Sequence, residues 1–567
     1  MHRPTALSLA AAGIVLLCFW PVCSHCFLIY DDDIHVSRNP HFRPNVGPNV
    51  GRFWRKPYEG LYVPVAYTVW GAAVALTSEP GPDGAEHDPR VFHALNLLAH
   101  LLSTLVVLAL MRSLLSDDWA ALAAALLFAL HPLQVEPVAW VSGFKGLLAG
   151  LLALVAVRQY LIFARTEGKG PWLHYALAAA AFVLAILSSP GAVVAPLLAG
   201  VLALTLLRRP VRRTVLELLP WLVLAAPIAV ITKLSQPDVK IDFTAPLWQR
   251  PLIAGDAIAF YLSKLSLPLW LGPDYGRTPQ LVLEQPAIWI TALTPAALAA
   301  LLVWKCRRRW ALAAAGVFLA ALLPVLGLVP FAFQNVSTVA DRYVYVAMLG
   351  PALALGWFVK QHRGRRALVV CVLLLGTLGV LSAVQVHRWS DTVTLFEHAL
   401  TVNPRSAVSH VNLGVKAQRD GDFAAAIDHY EQALTIDPAQ LEAHYNLGTM
   451  EHKAGRLGRA LFHFSAAVAA HPSHSGSRYA LAFVLEKLGQ LDEAAEHYTT
   501  LLDLTGHRRD LVYYRLGEVR RRQHRLADAA QLYEKALAAN PLNAKARSAL
   551  ARLERQKTEA PSPAPAP

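Results

Sequence analysis

Long apolar stretches recur from the N-terminus to about Gln385, each close to the roughly 20 residues that cross a bilayer as a helix. A backbone in hydrocarbon must satisfy its own hydrogen bonds, so this pattern constrains the first two thirds of the chain to a bundle of helices. Candidate spans fall near 5–28, 92–112, 118–137, 139–162, 172–189, 191–208, 214–233, 286–305, 311–330, 343–360 and 366–386, about eleven crossings. Residues 252–272 are apolar enough to join them, but a crossing there would turn the Arg307 cluster outward. They are therefore read as interfacial or re-entrant, broken by Lys264 and Pro268. Composition agrees: 55% of the 567 residues are hydrophobic and 16% charged, less charge than a soluble chain carries.

Basic residues orient the spans. Arg112, Arg158 with Arg165 and Lys169, the Arg208–Arg213 run, Arg307 to Arg309, and Lys360 to Arg366 sit at span ends and read as cytoplasmic. Threading them in order places residues 29–91, 131–145, 234–285, 331–342 and everything after 386 on the opposite, outer side. The formal charge of +13 is accounted for by these clusters, so nucleic acid is not expected as a partner. Cys23 and Cys26 form a lone CxxC at the end of the first segment, read as unremarkable membrane-end cysteines. That segment is read as a retained helix rather than a cleaved signal, since no small-residue cleavage site clearly follows it. The first outer loop, 29–91, shows no strong helical pattern. Its Trp54, Tyr58, Tyr62 and Trp70 serve either a folded core or the membrane interface.

After residue 388 the pattern changes to a 34-residue period, marked by Pro404, Pro438 and Pro472 and by Leu413-Gly414 and Leu447-Gly448. Ala426 with Ala433, Ala460 with Ala467, Ala494, and Ala529 with Ala536 supply small residues where paired helices cross. Four tetratricopeptide-type repeats follow: 407–440, 441–474, 475–508 and 510–543. Residues 390–403 read as half of a degenerate leading repeat, 544–556 as a capping helix, and 557–567 as a disordered Pro/Ala tail. The expected fold is all-α: a polytopic bundle over 1–388 and an α-solenoid over 389–556. Such solenoids present surfaces to extended peptides, or act as assembly scaffolds.

Three acids, Asp31-Asp32-Asp33, follow the first span directly. Ionisable groups at membrane depth are functional candidates by default. His93, Asn96 and His100 share one helical face, His131 and Glu136 close the third span, and Lys145 and Asp341-Arg342 stand at other outer ends. Topology brings them to one side. A carboxylate there can serve as base toward a hydroxyl or hold a divalent cation through oxygen, so Asp31 or Asp32 are candidate metal ligands. Lys145 or Arg342 can meet a phosphate. Each His and Asn can equally just hydrogen-bond a neighbouring helix.

The chain resembles the transmembrane and tetratricopeptide-repeat O-mannosyltransferase family, bacterial-type relatives included, within the C-type membrane glycosyltransferase fold. The resemblance rests on an ordered set of stretches. They are Tyr30-Asp-Asp with Asn39-Pro40, Leu61-Tyr-Val-Pro-Val, Asn96-Leu-Leu-Ala-His100, Phe128-Ala-Leu-His-Pro132 with Glu136-Pro-Val-Ala-Trp140, and Ala340-Asp-Arg-Tyr-Val-Tyr345; Trp389-Ser-Asp391 precedes the repeats. It implies a polyprenyl- or dolichyl-phosphate sugar donor, inverting transfer to protein Ser or Thr, and a site on the non-cytoplasmic face, periplasmic in a bacterial inner membrane. The family's paired acids map onto Asp31 and Asp32, one as base. The other positions acceptor or metal. The chain departs from the pattern where many bacterial relatives carry Arg-Lys-Asp and this sequence has Phe144-Lys145-Gly146. It departs again at Ser188-Ser189-Pro190, where relatives often have Ser-Lys-Pro. The competing expectation is a non-catalytic membrane scaffold whose repeats assemble an envelope complex.

Overall fold

The computed structural model describes residues 3–42, 49–77, 87–166, 172–235, 241, 243–305, 309–504 and 508–559. Lys169, Arg307, Arg308, parts of the first outer loop and the tail beyond 559 lie outside the described residues. Among those described the chain is helical, with no strand.

The membrane part carries α1 (Arg3–Phe19), α2 (Val50–Arg55), α3 (Pro64–Leu76), α4 (Pro89–Leu115), α5 (Asp118–Leu130), α6 (Val135–Ala139), α7 (Phe144–Arg165), α8 (Trp172–Ser188) and α9 (Ala195–Thr205). It continues with α10 (Val211–Ser235), α11 (Arg250–Ser266), α12 (Pro279–Glu284), α13 (Ile288–Lys305), α14 (Arg309–Leu322), α15 (Leu349–Gln361) and α16 (Arg365–His387). The repeat region holds α17 (Thr392–Val402), α18 (Ala407–Asp420), α19 (Phe423–Ile436), α20 (Leu441–Lys453), α21 (Leu457–Ala470), α22 (Ser475–Leu488), α23 (Leu491–Asp503), α24 (Arg509–Arg522), α25 (Leu526–Ala539) and α26 (Ala544–Glu559).

Five described helical segments are long and apolar enough to span a bilayer: Thr5–Ser24, Pro89–Leu115, Val141–Arg165, Val211–Ser235 and Arg365–His387. A sixth is a broken pair, Asp118–Leu130 with Pro132–Ala139, bent by 57°. The expected eleven full-length crossings are therefore not all present as continuous helices. Proline is one cause: it lacks an N–H and clashes with the preceding turn, and Pro132 and Pro190 stand at two of the breaks. Trp172–Ser188, Pro190–Thr205, Ile288–Trp304 and Arg309–Val325 remain as shorter apolar helices. The stretch expected at 343–360 becomes helical only at Leu349. Lys264 does not break α11. It sits in its last turn, where its ammonium donates to the Leu269 carbonyl at 2.7 Å, and the helix ends two residues before Pro268.

The described residues between α1 and α4 are more ordered than their sequence suggests. Helix α3 buries Tyr67 and Trp70, and Phe53 stacks on Tyr67 with ring centroids 4.1 Å apart. The His35 Nδ1 and Tyr67 hydroxyl share a hydrogen bond of 2.8 Å. Trp70 thus belongs to a folded core, whereas Trp54 is exposed.

The chain forms two compact units, 1–412 and 413–567, so the structural division falls inside α18 rather than at residue 388. Helix α17 belongs with the first unit: Thr392 Oγ1 accepts from the Ile29 N–H at 3.0 Å. The buried Asp274 carboxylate accepts from Ser406 Oγ at 2.6 Å and Asn403 Nδ2 at 3.1 Å. In the second unit helices pair as expected, and Ala426, Ala433, Ala460, Ala467, Ala494, Ala529 and Ala536 are fully buried. A Cβ at Gly448 would lie 2.8 Å from the Phe464 ring, so glycine sets how closely α20 and α21 approach. Helix α26 closes the array as the capping helix.

Candidate active site

A cavity of about 410 Å³ opens beside the head of α7. Asp31, Trp140, Lys145, Arg342 and Tyr343 are among its polar groups, with Ser142, Ser189 and Tyr345. Gly146, Ala149, Gly150 and Ala153 continue the lining down α7, with Gly191, Ala192, Pro324 and Val325 on neighbouring segments. At 1.5 Å of rise per residue, Lys145 to Ala153 is about 12 Å of helix. The cavity therefore joins charged groups at its head to a smooth, small-residue apolar wall.

The acidic turn is fixed from several sides. Trp140 Nε1 donates to the Tyr30 carbonyl at 2.7 Å, and the two rings stack at 4.9 Å. Asp32 is fully buried. Its Oδ1 accepts from the Ser142 N–H at 2.8 Å and its Oδ2 from the Leu28 N–H at 3.0 Å. Both oxygens thus hold backbone. Burial pushes the Asp32 carboxyl up to about 7, although those two N–H donors pull the other way. Asp31 is held at φ 70°, a left-handed conformation that costs a non-glycine residue about 1–2 kcal/mol. Its side chain is half-exposed and lines the cavity. Strain held at one position beside a cavity is a pointer to function.

Arg342 is anchored from behind by Glu136, whose side chain is 1% exposed. Glu136 Oε2 accepts from the Arg342 backbone N–H at 2.9 Å and Oε1 from its Nη1 at 2.5 Å. The guanidinium lies over Phe333, 4.3 Å from the ring centroid, and 5.7 Å from that of Trp140. Asp341 turns away and accepts from the Tyr275 hydroxyl at 2.6 Å. Burial, with Glu136 close by, raises its carboxyl well above the usual range.

Of the residues singled out in the sequence, the structure brings Asp31, Lys145 and Arg342 to the cavity wall. Asp32 and Glu136 stand behind it as anchors. His93, Asn96, His100 and His131 are buried and do not line it. Asn96 Nδ2 donates to the carbonyls of Val138 (3.1 Å) and Trp140 (2.6 Å), bracing the segment that enters α7. His100 bridges the Tyr345 hydroxyl and the Ala129 carbonyl. His131 caps the turn after α5 and contacts the Leu265 carbonyl, and His93 contacts the Cys26 carbonyl at 3.4 Å. These four hold helix ends in place, as polar groups between packed helices do. Trp140 and Ser142 also line the cavity but were not singled out as site residues, and Tyr343 was met only beside Asp341-Arg342. Trp140 lay in a quoted motif, but Ser142 acts on Asp32 through a backbone N–H that every residue but proline has. Gly146 and Ser189, both at departures from the family pattern, also line the cavity.

A divalent metal finds few ligands here. Among the described residues no group of three His, Cys, Asp or Glu side chains is placed to hold one. Asp31 alone at the cavity head offers a carboxylate not tied to backbone, fewer than the several oxygens magnesium or calcium require.

Tetratricopeptide-repeat family models match residues 379–440, 411–475, 451–509 and 514–561. Protein O-mannosyl-transferase TMTC3 of Mus musculus is 24% identical over 474 residues, covering 74% of this chain and 50% of that protein. Protein O-mannosyl-transferase TMTC1 of Homo sapiens is 30% identical over 162 residues, 28% of this chain and 18% of its own. Protein O-mannosyl-transferase Tmtc2 of Drosophila melanogaster is 36% identical over 102 residues, 18% of this chain and 11% of its own. The chain spans about half the length, or less, of the curated relatives it matches. With a helical membrane unit followed by tetratricopeptide repeats, the chain is a relative of the transmembrane and tetratricopeptide-repeat O-mannosyltransferases.

Proposed function

We propose that the protein moves a sugar, mannose in the first instance, from a polyprenyl-phosphate carrier to Ser or Thr of a polypeptide on the non-cytoplasmic face, with the repeats docking the acceptor or a partner. One observation carries this reading: a single cavity has a carboxylate and two cations at its head and a smooth apolar wall running from it. Asp31 is placed to take the proton of an acceptor hydroxyl. The hydroxyl oxygen attacks the anomeric carbon. The bond from that carbon to the phosphate oxygen breaks, and its electron pair leaves with the lipid phosphate. Lys145 and Arg342 face the charge that grows on that phosphate. Attack opposite the leaving group inverts the anomeric centre. The small residues below Lys145 leave room for an isoprenoid chain.

Asp32 is a positioning residue in this reading, since its oxygens hold Leu28 and Ser142 and so orient Asp31. Glu136 does the same for Arg342. No step is routed through a metal. The test is transfer by full-length purified protein in lipid nanodiscs, from radiolabelled polyprenyl-phosphate mannose to envelope proteins. Label entering protein with wild type and absent with Asp31→Asn supports the reading. Equal labelling by the two defeats it.

A further inference from the structure

The first helices of the second, third and fourth repeats, α20, α22 and α24, meet at Phe483 of α22. The Arg515 guanidinium of α24 lies over its ring, 4.7 Å from the centroid, and the Lys487 ammonium lies 5.5 Å from it. His452 of α20 packs edge-on at 5.5 Å. Tyr445, Tyr479 and Tyr514 occupy the same place in successive first helices, and all three are half-buried. Lys453, Lys487 and Arg522 likewise fall in phase, at the exposed ends of those helices.

In the third and fourth repeats charge separates between the layers. Helix α24 carries Arg509, Arg515, Arg520, Arg521 and Arg522 against Asp510 and Glu518. The second helix α23 carries Asp492, Glu493, Glu496 and Asp503 and no Lys or Arg. Several acids of the first helices are already paired: Glu451 with Arg456 and Arg459, Glu486 with Arg515, and Glu518 with Arg521. Lys453 and Lys487 make no ion pair among the described residues. The face therefore offers aromatic rings flanked by uncompensated cations.

We propose that the first-helix face of repeats two to four binds an extended acidic segment of a polypeptide. This rests on the reading that the repeats dock a polypeptide and adds its chemistry. Phe483 and the tyrosines cover backbone and apolar groups of the segment, while Lys453 and Lys487 meet its carboxylates. An extended chain advances about 3.3 Å per residue, so Glu at every third position sets its carboxylates about 10 Å apart along the segment. Rim charges of this kind set partner choice and association rate, and salt screens them.

The test is fluorescence anisotropy with the full chain in zwitterionic nanodiscs, without sugar donor. The probes are a labelled peptide with Glu at every third position in a Gly/Ser background and its Glu→Gln counterpart. The acidic peptide is expected to bind about tenfold tighter than the Gln form at low salt, with most of that preference lost near 0.5 M salt. Lys453→Gln with Lys487→Gln, both exposed positions, should weaken it roughly five- to tenfold. Asp31→Asn should leave it unchanged, so this inference and the catalytic reading fail separately. Equal affinity for the Gln peptide, or no binding of the acidic peptide by folded protein, would overturn it. So would binding indifferent to the double substitution, or displacement of the peptide only by anionic phosphatidylglycerol vesicles.

Discussion

The Ser142 N–H donates to Asp32 Oδ1 at 2.8 Å across 110 residues of chain, so the acidic turn and the head of α7 are one piece. The two neighbouring acids thereby part company. Asp32 faces backbone, and Asp31, in its left-handed conformation, faces the cavity.

Asp31→Asn and Asp32→Ala should differ in kind. Asparagine tolerates the left-handed region, so Asp31→Asn should shift stability by less than about 0.5 kcal/mol while transfer falls below detection. Asp32→Ala leaves the Leu28 and Ser142 N–H groups buried without acceptors, a loss of about 2–4 kcal/mol. Thermal unfolding near pH 4, where the ionisation of Asp32 adds little to the difference, beside a transfer assay separates them.

The pH dependence has a worked sign. Asp32 titrates at about 7 folded and near 4 unfolded, so between those values the folded protein holds the extra proton. Its contribution to stability is highest below about pH 4 and declines by roughly 4 kcal/mol as pH rises through 7. Activity should move oppositely, because the ionised carboxylate holds its two N–H donors more strongly. A transfer profile rising through about pH 7 in wild type and lacking that step in Asp32→Asn is the expected result.

Removing one partner of the Glu136–Arg342 pair leaves a largely buried charge alone. Glu136→Gln should cost about 3 kcal/mol and raise KM for the lipid donor, since Arg342 loses its anchor. The double substitution Glu136→Met with Arg342→Met should restore most of the stability and none of the transfer. Chemical denaturation of the three variants measures this.

Two glycines of the cavity wall should respond differently. A Cβ at Gly146 meets nothing within 4 Å, whereas one at Gly150 would lie 2.8 Å from the Tyr345 ring. Gly146→Leu should leave unfolding unchanged and raise KM for the lipid donor by occupying the cavity. Gly150→Ala should destabilise by about 1–3 kcal/mol through overpacking. Equal effects at both positions would contradict the assigned wall.

The repeat array was legible because Pro404, Pro438 and Pro472 keep one period and the alanines that let helices cross keep it too. That Asp31, Lys145 and Arg342 come to one cavity was legible because ionisable residues beside spans are rare. Which acid faces the cavity was not, since Asp31 and Asp32 differ only in backbone conformation and in whose N–H groups they meet. His93, Asn96, His100 and His131 lie off this cavity: a polar residue inside a helical bundle looks the same in sequence whether it braces a carbonyl or lines a cavity. Helix α3 was missed because Pro64–Leu76 is apolar on nearly every side and too short to span, so it shows no amphipathic period.

The most direct measurement is single-turnover transfer by Asp31→Asn with polyprenyl-phosphate mannose already bound, donor occupancy being measured separately. The expected result is unchanged donor affinity with transfer reduced by at least about a hundredfold, the scale of a lost general base. Full-speed transfer by that variant would contradict the assignment of Asp31 as the base.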